Sequence, residues 1–366
     1  MVSLFAGCGG LDLPFHLAGY KTVYVNEFNK DAASTFENNF GVHVDTTPIE
    51  DVDLSKLPKA DLVTGGFPCQ DFSMVWKRPG LDGTRGNLYT YLLDVVNRTQ
   101  PKAFVAENVL GLLTANKGAA INQIIQDFSQ IGAGYLVIPK VYNFADYGVP
   151  QYRQRVVLVG VRLDTGFNFV HPTGAYGSDN QPKHRSSGEA LKGIVPSLPN
   201  SENMNIQPKT IEMLKKIGPG KNFSDIDPSD PLYVKGMISH VYRRLDPSKP
   251  STTLIAGGGG GTWGYHYPEP RALTNRERAR IQSFPDDFEF SGTFTEVRRQ
   301  IGNAVPPVGV ISVVNELNRL FSGDYTKQDL SGVYGWLQQM PTPQKIALAK
   351  SSDRVDWLQA YEKTLR

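Results

Sequence analysis

Along the first 160 or so residues, short runs of apolar and β-branched residues alternate with longer stretches in which apolar positions recur three and four apart. The short runs Val2–Phe5, Thr22–Asn26, Asp61–Thr64, Ala103–Ala106, Tyr135–Val141 and Val156–Val161 read as strands. The longer ones, Leu11–Ala18, Lys30–Asn39, Tyr89–Asn97 and Ile121–Ile131, read as helices. Strict alternation of this kind predicts an α/β fold with a mostly parallel sheet and helices on both faces. The segment Met74–Asn87 carries three glycines, a proline and three basic residues without periodicity, so it reads as a long loop, a lid or binding loop.

From about His171 the pattern breaks. Pro, Ser, Asn, Asp and Lys dominate, helix and strand no longer alternate, and five glycines run from Gly257 to Gly261. This marks the boundary between a first domain, residues 1–172, and an irregular second one, 173–298. A helix dense in arginine is expected at Asn275–Gln282, read as a structural element, and residues 326–366 read as an appended helical cap.

Composition narrows the class without naming a partner. At 366 residues, 40% hydrophobic and 20% charged, the chain matches a soluble globular protein of two domains and excludes fibrous or wholly disordered classes. No run approaches a membrane span and no leader pattern opens the chain, so a soluble, cytoplasmic protein is expected. A net charge of +2 neither demands nor forbids a polyanion. Two cysteines, Cys8 and Cys69, are too few for a disulfide scaffold, and no metal is expected.

The glycines after the first strand, in Leu4-Phe5-Ala6-Gly7-Cys8-Gly9-Gly10, admit two readings. They make a tight turn for steric reasons, or they let a nucleotide-like cofactor approach the sheet's carboxyl edge, with Glu27 at the end of the second strand on its ribose. The absence of G-x-G-x-x-G spacing weakens a nicotinamide reading. Cys69, in Gly66-Phe67-Pro68-Cys69-Gln70 after another strand, is either a small buried side chain or a nucleophile whose thiolate a nearby cation favours. Glu107-Asn108 ends the next strand at the same sheet edge. Gln151, Arg153 and Arg155 alternate, so they are expected on one face of the last strand, aimed into the same cleft.

The series SLFAGCGG, VNE, GGFPCQDFS, ENV, QYRQR and RQIGNAVPP, in this order, closely resembles the DNA cytosine-5 methyltransferases of the prokaryotic modification type. The resemblance covers nearly all of residues 1–161 and about 242–318. It implies the fold of S-adenosylmethionine-dependent methyltransferases, Rossmann-like, with a smaller irregular, β-rich target-recognition domain. It also implies that 299–325 returns to the catalytic domain. The implied reaction moves a methyl group from S-adenosyl-L-methionine to C5 of a cytosine flipped out of double-stranded DNA. The implied catalytic residues are Cys69, which adds to C6, Glu107, which serves N3, Arg155 for the base O2, and Arg153, which orients the thiol. The chemistry agrees: C5 is a poor nucleophile until something adds to C6, and a buried carboxyl that keeps its proton can serve N3.

For the cofactor the resemblance implies Phe5, Ala6, Gly7, Gly9, Gly10, Glu27, Phe28, Pro68, Asn303 and Val305, and for DNA it points to Gln70, Ser73, Arg85, Gln151, Arg243, Thr253 and Gly257. One departure stands out. Pro48-Ile49 occupies the place of the family's usual Asp-Ile at the cofactor adenine, leaving Asp45, Glu50 or Asp51 as substitutes. Competing readings are a transfer-RNA cytosine-5 methyltransferase, disfavoured because no Cys-Phe-Thr triplet occurs, and a non-catalytic DNA-binding homologue. A monomer is expected, with a cognate restriction endonuclease as a possible separate chain.

Overall fold

The structure is a computed structural model that describes residues 1–67, 88–236, 241–257, 264–351 and 356–365. Pro68, Cys69, Gln70, Ser73 and Arg85, with the whole expected loop Met74–Asn87, lie outside the described residues, as do Gly258–Gly261 of the glycine run.

One six-stranded sheet organises the first lobe. Its strands are β1 (Val2–Leu4), β2 (Tyr24–Asn26), β3 (Leu62–Gly65), β4 (Ala103–Val109), β5 (Tyr135–Asn143) and β6 (Gln154–Arg162). They lie in the order β2-β1-β3-β4-β6-β5. Strands β1 to β4 pair in parallel, whereas β6 runs antiparallel to both β4 and β5. The mostly parallel expectation therefore holds with one reversed strand. A short connection joins β5 to β6, which suits an antiparallel pair and cannot span a parallel crossover. Nearly every residue of β4, β5 and β6 is buried, as in a sheet covered on both faces.

The four expected helices form as α1 (Leu13–Leu17), α2 (Lys30–Phe40), α3 (Leu88–Thr99) and α4 (Ala119–Ser129). Helix α2 shows why the ends fall where they do: the Asn29 side chain accepts from the Ala32 amide at its start, and Gly41 closes it with φ 63°. Its apolar face, Ala32, Ala33, Phe36 and Phe40, is buried.

The second lobe carries α5 (Ser187–Leu191), α6 (Pro208–Lys216) and α7 (Asn275–Ile281), followed by α8 (Phe294–Asn303) and α9 (Pro307–Ser322). It is irregular as expected, but the strands expected there are not formed among the described residues, which carry only isolated bridges such as Arg244 with Tyr265 and Tyr265 with Ala272. Its sequence offers few period-two apolar runs, and it is closed by side-chain bonds instead.

Helices α10 (Ser331–Gln339), α11 (Thr342–Lys350) and α12 (Trp357–Thr364) end the chain. Trp357 is fully buried, with its ring 6.2 Å from Trp336. Helix α11 packs beside the edge strand β5, and Lys345 donates to Asn122 of α4. No helix among the described residues is long and apolar enough to cross a membrane.

Candidate active site

A cavity of about 980 Å³ opens at the carboxyl ends of β1, β3 and β4 and is closed on its other side by α8. Phe5, Ala6, Gly7, Gly10, Glu27, Phe28, Asn303 and Val305 all line it, together with Glu107, Arg153 and Arg155.

The turn after β1 is shaped for close approach. Gly7 has φ 55°, and a Cβ built there meets nothing within 4 Å. Phe5, with φ 53°, takes a conformation uncommon for a bulky residue. Glu27 ties the turn to the end of β2: one carboxylate oxygen accepts from the Gly7 amide at 2.8 Å and the other from the Asn29 amide at 2.8 Å. Burial raises the Glu27 pKa, and those two amides oppose it. Each oxygen retains acceptor capacity for a ligand hydroxyl. Phe28, 70% exposed on the cavity wall, offers an apolar face to a flat ligand.

Two glycines of the turn serve packing. A Cβ on Gly10 would come 2.4 Å from the Val305 carbonyl, so this glycine lets the C-terminal segment dock beside β1. Gly9, expected at the cofactor, does not line the cavity; a Cβ there would strike the Phe40 ring at 2.5 Å, and its role is the approach of α2. Cys8 is buried, its thiol pushed up to about 12 by desolvation, which makes it inert.

At the departed position, Pro48, Ile49 and Glu50 line the cavity. Asp45 does not: it accepts from the Tyr24 hydroxyl at 2.7 Å and the Thr47 amide at 2.9 Å. Nor does Asp51, which leaves Glu50 as the acid at this wall.

Glu107 ends β4, its carboxylate 2.8 Å from Nε of Arg155 on the adjacent β6. A Cβ on Gly66 would lie 3.6 Å from Glu107, so the carboxyl sits beside the chain leaving β3 toward Cys69. Asn108 donates to the Phe67 carbonyl at 2.8 Å and fixes that exit. Burial raises the Glu107 pKa, with Arg155 and then Arg153 opposing.

The expected alternation of three side chains along one strand face is not what forms. Strand β6 begins at Gln154, and only Arg155 lies on it. Arg153, 1% exposed, donates to the carbonyls of Gly302 at 3.0 Å and of Leu254 and Asn303 at 3.4 Å, so it joins both lobes at the C-terminal end of α8. Gln151, expected to face DNA, is fully buried: its amide nitrogen donates to Gln282 and its oxygen accepts from the Leu254 amide. It is spent on the junction.

Of the other expected DNA contacts, Thr253 is exposed and donates to the Tyr152 carbonyl at 2.7 Å. Gly257 is exposed, and Arg298 donates to its carbonyl. Arg243 is half-buried and makes no side-chain bond among the described residues, whereas Arg244 beside it is committed to main-chain carbonyls. Three charged cavity residues were given no role in the sequence reading: Asp12, Glu296 and Arg299. The last could have been found, since it stands four residues before Asn303, one helical turn away. No group of three or more His, Cys, Asp or Glu among the described residues could hold a metal ion.

Residues 1–319 match the family model described as C-5 cytosine-specific DNA methylase. The type II methyltransferase M.NgoFVII of Neisseria gonorrhoeae is 56% identical over 335 residues, 90% of this chain and 89% of that protein. M.BbvI of Brevibacillus brevis is 40% identical over 344 residues, covering 87% and 90%. Among solved structures, a putative DNA modification methyltransferase encoded within an E. coli prophage superposes with a TM-score of 0.67 at 21% identity, over 88% of this chain and 99% of that one, which shows the shared fold. With a sheet edge that gathers Glu107, Arg155 and the glycine turn around one cavity, the chain belongs to the C-5 cytosine-specific DNA methylases and is a DNA (cytosine-5-)-methyltransferase.

Proposed function

We propose that the enzyme methylates C5 of a cytosine flipped out of duplex DNA, with S-adenosyl-L-methionine as donor and Cys69 as the transient covalent nucleophile. The observation that carries this reading is the Glu107–Arg155 pair, 2.8 Å apart, opening into the same cavity as the glycine turn and Glu27. The donor set suits an adenosyl group: Glu27 for ribose hydroxyls, and Phe5, Phe28 and Ile49 as apolar surface for the base. When bound, S-adenosylmethionine supplies an electrophilic methyl group on a sulfonium.

The chain's own residues do the rest. The Cys69 thiolate adds to C6 and pushes electron density through the ring toward C5 and N3. Glu107, whose pKa burial raises, serves N3 and so offsets that charge. Arg155, anchored against Glu107, reaches the base O2. Arg153 keeps the second lobe closed on the site through the carbonyls it binds. After C5 attacks the methyl, an ordered water takes the C5 proton and the thiolate leaves C6, which restores the aromatic ring. C6 is stacked inside a duplex, so the base must first leave it, at roughly a few kcal/mol. Thr253, Gly257 and Arg243 would contact the DNA.

Relatives named type II methyltransferases support a place in a restriction-modification pair, and we infer a cytoplasmic monomer whose endonuclease is a separate chain. The test is bisulfite sequencing of DNA from a host without cytosine methylation that expresses the wild type, Cys69→Ala or Glu107→Gln. Protection in one short sequence context is expected for the wild type and none for Cys69→Ala. For Glu107→Gln a rate loss of about 10²–10⁴-fold is expected. Trapping on DNA that contains 5-fluorocytosine should require Cys69. Soluble wild type that protects nothing would overturn the proposal and bring transfer RNA or a binding-only role forward.

A further inference from the structure

The proposed donor ends in an amino acid whose carboxylate needs a cation. Three guanidiniums line the cavity among the described residues: Arg153, Arg155 and Arg299. Two are committed. Arg153 is spent on the carbonyls of Leu254, Gly302 and Asn303, and Arg155 on Glu107. Arg299 has one partner among the described residues, Glu296 one turn earlier on α8, at 3.0 Å. Arg299 is exposed, with 53% of its side chain accessible, against 21% for Glu296, and a partly exposed i,i+3 pair holds a guanidinium weakly.

The remaining wall is acidic. Asp12, Glu27, Glu50 and Glu296 line the cavity, so a ligand carboxylate finds repulsion beside them. Arg299 stands four residues before Asn303, on the same face of α8, and both line the cavity beside the turn after β1. The helix-end carbonyls there are already satisfied by Arg153, so they repel an incoming anion less.

We propose that Arg299 is a donor-binding residue that engages the α-carboxylate of S-adenosylmethionine, with Glu296 steadying the guanidinium at the cavity mouth. The assignment rests on S-adenosylmethionine being the donor. It predicts that the enzyme distinguishes S-adenosylmethionine from its decarboxylated analogue through this side chain.

Isothermal titration of both compounds into the full-length wild type, Arg299→Gln and Arg299→Lys tests it. The wild type is expected to prefer S-adenosylmethionine by about tenfold, the scale of one charge-assisted hydrogen bond at a half-exposed site. Arg299→Gln should lose that preference, binding S-adenosylmethionine about tenfold more weakly and the analogue unchanged, while Arg299→Lys keeps part of it. Equal weakening of both compounds, or of neither, would overturn the assignment. So would a DNA affinity whose salt dependence flattens in Arg299→Gln with donor affinity unchanged, since that marks a phosphate contact. A folded wild type that binds neither compound would instead overturn the donor reading, and this assignment with it.

Discussion

The two lobes are held together by different chemistry. Around the sheet the interior is apolar: Phe104, Val105, Leu136, Ile138, Leu158 and Val159 are fully buried, and strand pairing satisfies their backbones. The second lobe has no such ladder among the described residues, and its carbonyls are met by arginines. Arg244 donates to the carbonyls of Leu214, Ile217, His266 and Tyr267. Arg276 does the same for Pro199, Pro285 and Phe288, and Arg280 binds Asp286 and the carbonyls of Ala190 and Lys192. Buried carbonyls need donors, and one guanidinium carries five. A basic residue in this lobe is therefore often a substitute for a strand, and its charge says little about where DNA lies.

The largest effect should come from the apolar lobe. Phe104 stacks on Phe128 with ring centroids 4.2 Å apart, and Gly160 on β6 leaves room for it, since a Cβ there would come within 2.0 Å. Phe104→Ala should cost about 3–5 kcal/mol in urea unfolding. A smaller loss would mean that the sheet core relaxes into the cavity. Next comes Arg244→Ala, expected to cost about 3–4 kcal/mol because four carbonyls lose their donor at once. Arg244→Lys should recover only part, as an ammonium cannot reach the same fork of acceptors. If Arg244→Ala melts like the wild type, the contrast between the lobes fails.

How much of this was legible in the sequence follows the same division. The six strands and four helices of the first lobe could be read because burial on both faces leaves uninterrupted apolar runs. Their ends could not: β4 extends to Val109 because it pairs with Arg155, far away in the chain, and β6 starts at Gln154 because that residue pairs with Asn143. Glu107 was visible as a carboxylate at a strand end. The fate of Gln151 was not, since its partner Gln282 lies 131 residues on. Nor could Gly9 be told from Gly7, because the difference lies in Phe40 of another element. Arg243 and Arg244 are chemically identical neighbours, and only the folded chain separates them.

Asp12 brings the comparison back to the sheet lobe, where its carboxyl is buried against Thr64 and Ser3. It is 1% exposed, accepts from Thr64 at 2.8 Å, and burial pushes its pKa up to about 6. The folded state thus holds this proton to higher pH than the unfolded chain, whose value is about 3.9. The resulting stabilisation is complete below that value and lost as the pH rises through about 6. Two units correspond to about 3 kcal/mol. Asp12→Asn should therefore gain on the wild type by up to about that amount between pH 4 and pH 7, read as the difference of their urea midpoints. A difference that does not change with pH would mean the carboxylate is ionised in the folded protein throughout.

The smallest effect on stability should separate the two neighbouring arginines. Arg243 is half-buried with its side chain unbonded among the described residues, so Arg243→Gln should change stability by less than about 0.5 kcal/mol. If it contacts a phosphate, the variant should weaken DNA binding on every sequence alike and lower the slope of log affinity against log salt by about one. If it reads a base, the loss should instead fall on the recognised sequence and leave the salt slope almost unchanged, because a base-edge hydrogen bond displaces few counterions. Either outcome makes it the counterpart of Arg244: same side chain, adjacent position, one turned inward to hold the lobe and one left for the DNA. A variant with wild-type affinity and slope would remove Arg243 from the interface and leave the exposed Thr253 and Gly257 to carry that face of the lobe.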